Sequence, residues 1–324
     1  MTFYHTNLNI KLGDIASICN LKSFDFDINT ELKFFVRPEI ATIDDLTFIS
    51  NIKYDLKTNA KYILTNKNLY KNFSNKQNLL ISDNLDCDIA KISNLYYRAK
   101  TREEISYLDK PIIGNNSYIS KNTVIENGVL IGNNLVLEDF STIGHNCIIG
   151  DNVNIGKNVN LTNALIGDNV CIGDGTKIGQ DGFGFAYDEA NHPFKIFHIG
   201  RVIIQNGVTI NANCTLDKGS FNDTIIGENT YIDNLVHIAH NVNIGNNCII
   251  AGQCGFAGST TLGNFVQVGG QTGIGGHIKI SDHVKIAAKS GVIRNLGSGE
   301  SVMGYPAISI NKYLKNYKKK MMDI

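Results

Sequence analysis

A six-residue repeat of aliphatic side chains is the feature that most constrains the fold of this 324-residue chain. Isoleucine or leucine recurs at every sixth position from Ile113 to Leu161. This period fits neither an α-helix of 3.6 residues per turn nor the two-residue alternation of a strand. It is typical of hexapeptide repeats, which wind into a parallel β-helix. After short slips and one insertion, the repeat resumes at Ile166, Ile172, Ile178, Ile204, Ile210, Leu216, Ile226, Ile232, Ile238, Ile244, Ile250, Phe256, Leu262, Val268, Ile274, Ile280, Ile286 and Val292.

Three hexapeptides make one triangular coil of 18 residues, so these positions predict nine coils. The aliphatic side chain points into the prism, and a compact residue two positions earlier fills the space beside it. Asn and Gly are expected at the corners, where left-handed backbone angles cost them little. At the spacing of hydrogen-bonded strands, about 4.8 Å, the prism would be about 43 Å long.

Composition excludes several classes of function. Thirty basic and thirty acidic residues give a net charge of zero, which argues against nucleic acid as the main partner. No apolar run approaches the roughly 20 residues of a membrane span, and the N-terminus lacks the pattern of a secretory signal, so we expect a cytoplasmic protein. Four of the seven cysteines occupy compact repeat positions and are predicted to be buried, reduced thiols, namely Cys147, Cys214, Cys248 and Cys254.

The repeat also divides the chain. Residues 1–100 lack it and mix a helical pattern with strand-like runs, which predicts a small α/β domain. Residues 101–306 form the predicted prism, and residues 307–324 a short, lysine-rich amphipathic helix. An insertion at 180–197 interrupts the prism, and loops of this length are more often functional than idle. The predicted fold class is mainly β, a left-handed parallel β-helix flanked by these two parts. Its handedness rests on the likeness to hexapeptide-repeat proteins.

One corner of the prism gathers residues that could perform chemistry. A coil of 18 residues stacks position n on position n+18, so His240, Gly258, Gly276 and Arg294 form a column, with His277 beside it. An imidazole can act as a general base, and a glycine backbone N–H is a plausible oxyanion donor. Asp233, one corner away, could orient His240.

Two other interpretations of these residues remain open. His240 could be an ordinary solvated corner side chain. His237 and His240, three apart, could belong to a zinc site like those of prisms that hydrate carbon dioxide, but the column holds no third histidine, and we expect no metal.

Specific segments resemble a known family. They are IGQDGFGFAYD at 178–188, IGRVIIQNGVTINANCTLDKG at 199–219 and DTIIGENTYIDNLVHIAHNVNIG at 223–245. From about residue 100 to 308 the chain resembles the UDP-3-O-(3-hydroxyacyl)glucosamine N-acyltransferases of lipid A biosynthesis. LTFISNIKYDL at 46–56 is similar to the uridine-binding segment of that family.

The resemblance implies a role for each matching residue. His240 would be the general base that takes a proton from the glucosamine 2-amine, with Asp233 as its partner and Gly258 as the oxyanion donor. His277 would lie near the substrate and the pantetheine arm. Phe48, Asn51 and Tyr54 would hold the uracil, although without the resemblance the two aromatic residues would be taken as core residues. Gly291, Ile293 and Arg294 would line the acyl and pantetheine groove, with Gly291 leaving it open to longer chains.

The resemblance further implies a homotrimer that uses a 3-hydroxyacyl thioester on acyl carrier protein as donor, a UDP-sugar lipid precursor as acceptor and no other cofactor. The lysines of the C-terminal helix and Arg294 would attract the acidic carrier protein. Two alternatives stay open. One is another sugar O- or N-acyltransferase of the hexapeptide class, and the other is a non-catalytic prism that holds a nucleotide sugar.

Overall fold

The computed structural model describes residues 3–21, 26–50, 58–69, 73 and 78–322. These residues form two compact units, one comprising 101–183 with 200–322 and the other the described residues up to 100 with 184–199. Up to residue 100 the elements are β1 Tyr4–Thr6, β2 Ile10–Lys11, α1 Leu12–Ile18, β3 Glu31–Leu32, β4 Leu46–Ile49, β5 Tyr62–Asn66, β6 Asn78–Ser82, α2 Leu85–Tyr96 and β7 Tyr97–Ala99.

The prism begins after one short helix. Its first part contains α3 Arg102–Ser106, β8 Ile112–Ile113, β9 Tyr118–Ile119, β10 Val124–Ile125, β11 Leu130–Ile131, β12 Val136–Leu137, β13 Thr142–Ile143, β14 Ile148–Ile149, β15 Asn154–Ile155, β16 Asn160–Leu161, β17 Ala164–Ile166, β18 Cys171–Ile172 and β19 Lys177–Gln180. The insertion adds a hairpin of β20 Phe185–Tyr187 and β21 Pro193–Lys195.

The second part of the prism carries the chain to its C-terminal helix. It contains β22 Val202–Ile204, β23 Thr209–Ile210, β24 Thr215–Asp217, β25 Thr224–Ile226, β26 Tyr231–Ile232, β27 His237–Ile238, β28 Asn243–Ile244, β29 Ile249–Ile250, β30 Gly255–Phe256, β31 Thr261–Leu262, β32 Gln267–Val268, β33 Gly273–Ile274, β34 Lys279–Ile280, β35 Lys285–Ile286, β36 Gly291–Val292, β37 Ser301–Met303, β38 Ile308–Ser309 and α4 Ile310–Met322.

Every third strand of the prism pairs in parallel, which gives three long sheets of nine, nine and eleven strands. The register confirms the 18-residue coil, because Ile131 pairs with Ile149 and Ile226 with Ile244. The irregular spacings also stay in register, since Ile166 pairs with Ile204 across the insertion. The predicted nine coils and parallel β-helix are therefore confirmed. The last sheet continues past Val292 through β37, so the prism does not end where the regular beat ends.

The interior follows the predicted pattern. The repeat aliphatics from Ile131 onward are buried, and so are the compact residues two positions earlier. Cys147, Cys214, Cys248 and Cys254 are buried free thiols, as predicted. Burial raises the pKa of the Cys147 thiol to about 12, which keeps it protonated and inert at neutral pH.

Left-handed backbone conformations mark the corners of the coils. Asparagine adopts them most often, as at Asn229 and Asn247, but larger residues in the same column do so as well. The rings of Phe265 and His283 stack there with centroids 4.9 Å apart. Stacking between successive coils therefore compensates for a conformation that a bulky side chain disfavours.

A carboxylate network ties the first coils to α3. Glu126 accepts hydrogen bonds from the backbone N–H of His145 at 2.9 Å, faces Nδ1 of the same residue at 3.2 Å and forms an ion pair with Arg102. Burial acts to raise the pKa of Glu126, but the hydrogen bonds from His145 and Arg102 outweigh it and the pKa lies below its ordinary value. The folded state thus favours the ionised carboxylate.

The other unit is a small α/β domain, as predicted. Strands β4, β5 and β6 form a parallel sheet, and the predicted helix and strand at Leu12 and Tyr62 appear as α1 and β5. The hairpin of the insertion packs on α2: Asn84 and Asn94 donate side-chain hydrogen bonds to the carbonyls of Tyr187 and Lys195, at 2.8 and 2.9 Å. The insertion is therefore part of this unit.

A candidate active-site groove on the prism

One face of the prism carries a groove because its outward positions lack side chains. On the sheet that contains β27, β30, β33 and β36, His237 pairs with Gly255, Gly255 with Gly273 and Gly273 with Gly291. Outward positions of a strand alternate with the inward aliphatics, so three successive coils expose only backbone there. The resulting groove has a volume of about 680 Å³, with His237 at one end and Tyr305 at the other.

The edge of this face brings together two residues predicted from the sequence. A methyl group added at Gly258 would lie 2.7 Å from both Cε1 and Nε2 of His240, so the imidazole rests directly against this glycine. The backbone N–H of Gly258 donates no hydrogen bond to any residue in the described part of the chain. Ala257, its neighbour, lines the groove. A basic nitrogen and an available N–H donor thus stand beside the groove, the pairing that acyl transfer needs.

His240 is itself half-buried and held by its neighbour. Its Nδ1 lies 3.0 Å from the side-chain oxygen of Asn241, a contact that orients the ring. His277 adopts a left-handed conformation at the same corner, one coil beyond Gly258, and donates its backbone N–H to the Gly258 carbonyl at 3.1 Å. Its side chain is exposed.

The carboxylate nearest to these histidines differs from the one predicted. Asp217 lies with Oδ2 3.9 Å from Nε2 of His237, and its charge also acts on His240. Burial raises the pKa of Asp217, and the imidazolium forms of the two histidines oppose this. Asp233 instead accepts hydrogen bonds from Asn234 at 2.8 Å and Asn211 at 3.3 Å.

The reason is the geometry of the coil. Seven residues of chain separate Asp233 from His240, which is one side of the triangle, so the two residues lie at different corners. Asp217 lies in β24, the strand that pairs with the strand of His237, so the stacking of coils brings it near. In a single chain the carboxylate that acts on His240 is Asp217, and the role of Asp233 stays a prediction.

The structure also places His237 in a new setting. It lines the groove, and its Nδ1 lies 2.8 Å from the hydroxyl of Thr215. The sequence suggested it only as a zinc ligand, whereas the described residues contain no group of three or more His, Cys, Asp or Glu side chains that could hold a metal ion. Counting the 22-residue offset from Thr215 to His237 would have found both this contact and Asp217.

The three residues predicted to line the acyl groove separate into two groups. Gly291 and Ile293 line it, and Ile293 is exposed. Arg294 does not, because its guanidinium binds Glu300 at 3.1 Å. The expectation that Gly291 leaves the groove open is wrong, since the ring of Tyr305 fills the space above it. Tyr305 lies beyond the regular repeat, and no sequence signal pointed to it.

Only part of the predicted uracil site lies in the described chain. Phe48, on β4, is half-buried with its ring centroid 5.3 Å from that of the buried Phe35. The contact agrees with the interpretation of Phe48 as a core residue, and its role toward uracil stays a prediction. Asn51 and Tyr54 lie outside the described residues.

Comparison with known proteins defines the class first. Residues 223–258 match the family described as bacterial transferase hexapeptide (six repeats), and residues 97–204 match GlmU-like, C-terminal hexapeptide. UDP-N-acetylglucosamine acyltransferase from Campylobacter jejuni superposes with a TM-score of 0.54 at 28% identity, over 59% of this chain and 73% of that one. The Arabidopsis enzyme of the same name, at 21% identity and a TM-score of 0.55 over 65% of this chain and 73% of its own, shares the fold. The predicted left-handed parallel β-helix is thereby confirmed.

Curated relatives then narrow the resemblance. A UDP-3-O-acylglucosamine N-acyltransferase from Methylorubrum extorquens is 51% identical over 76 residues, which are 24% of this chain and 21% of the relative. One from Rhizobium meliloti is 56% identical over 62 residues, 19% of this chain and 18% of that one. The resemblance to the N-acyltransferases is confirmed over this segment, which spans about a fifth of the relatives' length. Among the described residues, no helix is long and apolar enough to cross a membrane.

Proposed function

We propose that the protein is an N-acyltransferase that moves a 3-hydroxyacyl chain from acyl carrier protein to the 2-amine of UDP-3-O-(3-hydroxyacyl)glucosamine. The observation that carries the proposal is the contact of His240 with Gly258 at the edge of a glycine-floored groove. The local identity of about half to relatives named for this reaction supports the choice of acceptor.

The proposed reaction needs no acyl-enzyme. The amine nitrogen of the sugar attacks the thioester carbonyl carbon while the neutral imidazole of His240 accepts the proton that the amine loses. The carbonyl oxygen becomes an oxyanion beside the N–H of Gly258. When the C–S bond breaks, the proton passes to the departing thiolate and the amide remains. A general base contributes about 10²–10⁴ in rate and an oxyanion donor about 10²–10³.

The groove suits the acyl chain of the donor. Its floor is backbone and its walls include Phe256, Ile274 and Val292, so it is narrow and apolar. Burying an alkyl chain there contributes about 0.8 kcal/mol per methylene. The uridine would be held by the first domain through Phe48, Asn51 and Tyr54, and the lysines of α4 would attract the acidic carrier protein.

The proposal includes a homotrimer. On a second sheet of the prism, Ile112, Leu130, Ile148, Leu165, Ile203 and Ile225 follow one another on the outer face in register. This aliphatic ladder is exposed or half-buried in a single chain. A contiguous apolar surface of this kind marks a protein interface. Closed symmetric oligomers are the usual outcome for identical chains.

The decisive experiment supplies purified protein with UDP-3-O-acylglucosamine and a 3-hydroxyacyl carrier protein and follows the product by mass spectrometry. A mass gain of one hydroxyacyl group on nitrogen, lost in His240→Ala, is expected. The second candidate is O-acylation of UDP-N-acetylglucosamine, favoured by the likeness to the Campylobacter jejuni enzyme. Transfer to that acceptor alone would select it. Binding of the sugar nucleotide without transfer from any donor would select a non-catalytic prism.

A further inference from the structure

The groove on the prism is open along most of its length and closed at one end. A methyl group added at Gly255 or Gly273 would meet no atom within 4 Å. A methyl group added at Gly291 would lie 1.9 Å from Cδ2 and 2.4 Å from Cε2 of Tyr305. The third glycine of the floor is therefore covered by an aromatic ring, while the first two are not.

The ring is held in this place by the backbone. The N–H of Gly291 donates to the carbonyl of Gly304 at 2.9 Å, and the N–H of Ala307 donates to the carbonyl of Gly291 at 2.6 Å. Both neighbours of the Tyr305–Pro306 pair are thus bound to the same floor residue. Gly304 has a φ of +97°, which a side-chain-bearing residue rarely adopts, so this turn depends on glycine.

Tyr305 remains 84% exposed although it lines the groove. Its ring therefore does not serve as core packing, and its contact with Gly291 is a surface contact at the end of a channel. A glycine under a tyrosine ring, at the last coil of an otherwise open groove, has the shape of an end wall.

We propose that Tyr305 sets the longest acyl chain that the groove accepts. This inference rests on the proposed acyl-transfer function. A chain that grows from the reaction centre beside Gly258 along Gly273 gains about fourfold in binding for each methylene that it buries. On reaching Tyr305 the chain must displace the ring or turn into water, so further methylenes gain nothing. The side chain thus determines specificity and takes no part in the chemistry.

The test compares Tyr305→Ala with the matched control Tyr305→Phe, which keeps the ring and removes only the hydroxyl. Each protein receives 3-hydroxyacyl carrier proteins that increase by two carbons, and kcat/KM is measured for each donor. Tyr305→Ala should move the optimum at least one step longer, with the ratio of the longer to the shorter donor rising about 15-fold. Tyr305→Phe should keep the parent profile.

A second pair of variants tests the contact itself. Gly291→Ala should shorten the preferred donor in the parent, because the methyl group pushes the ring along the groove. In the Tyr305→Ala background the same change should have little effect on chain length. Equal effects in both backgrounds would show that the glycine and the ring do not act together.

Separate outcomes keep the two proposals distinct. Affinity for 3-hydroxyacyl pantetheine thioesters of each length, measured by calorimetry, reports on the groove without turnover. A parent that binds these thioesters but never transfers the chain would overturn the N-acyltransferase function and leave the end wall to be judged by affinity. An unchanged length profile in Tyr305→Ala, in rate or in affinity, overturns the end wall, as does a Tyr305→Phe profile equal to that of Tyr305→Ala.

Discussion

Replacing Gly258 by alanine tests the proposed reaction centre with one methyl group. The added carbon would lie 2.7 Å from two ring atoms of His240, whereas non-bonded carbon atoms prefer about 3.5–4.0 Å. The imidazole must therefore retreat by about 1 Å. The backbone of Gly258 is not in the left-handed region, so alanine itself introduces no strain in the main chain.

The expected loss is catalytic more than structural. A misplacement of about 1 Å at a reacting group can cost about 10²-fold, or about 2.7 kcal/mol of transition-state stabilisation. Because His240 is half-buried at a corner, its ring can swing outward, and overpacking should cost the fold no more than about 1–3 kcal/mol. We expect kcat to fall about 10²-fold while the melting temperature changes by a few degrees.

Steady-state kinetics with saturating sugar nucleotide, together with a thermal melt, measure both effects. Gly273→Ala is the control, because it adds the same methyl group to the same prism in open space, where no atom lies within 4 Å. Its kcat on a short donor should stay within about threefold of the parent. A Gly258→Ala protein that is folded and turns over within tenfold of the parent would refute the assignment of this corner as the reaction centre.

Other predictions test the histidines, the oligomer and the carboxylate network. His240→Ala should lower kcat by about 10²–10⁴ with unchanged affinity for the sugar nucleotide, while His237→Ala, in the groove wall, should mainly raise KM for the donor; equal losses in kcat would contradict the division of roles. Leu165→Asp should convert the trimer to monomers by light scattering, since an unpaired buried charge costs about 3–5 kcal/mol, and Thr261→Asp, in the polar continuation of the same outer column, should not. Glu126→Gln should destabilise the fold by about 1 kcal/mol at neutral pH; because the folded pKa of Glu126 is lowered, this difference should vanish as the pH falls through that pKa, and a pH-independent difference in melting temperature would exclude the ion pair as its cause.

The sequence by itself determined the prism. A six-residue period places one aliphatic on the inner side of each wall, and burial of that row specifies the coil, its register and the interior cysteines. The same counting placed His240 beneath Gly258, and their contact follows directly from stacking coils of 18 residues. The short helix after residue 100 and the C-terminal helix were equally readable, because local patterns of caps and amphipathic spacing specify them.

Tertiary structure decided what the period does not encode. Asp217 replaces Asp233 as the carboxylate near the histidines of this chain because neighbours across coils outweigh neighbours along the chain. The insertion joins the first domain through hydrogen bonds to α2, a long-range contact that no local pattern announces. Tyr305 closes the groove from beyond the regular repeat, held by backbone bonds to Gly291. A repeat fixes positions relative to its own axis, whereas a residue outside it is placed only by the contacts that it makes once the chain has folded.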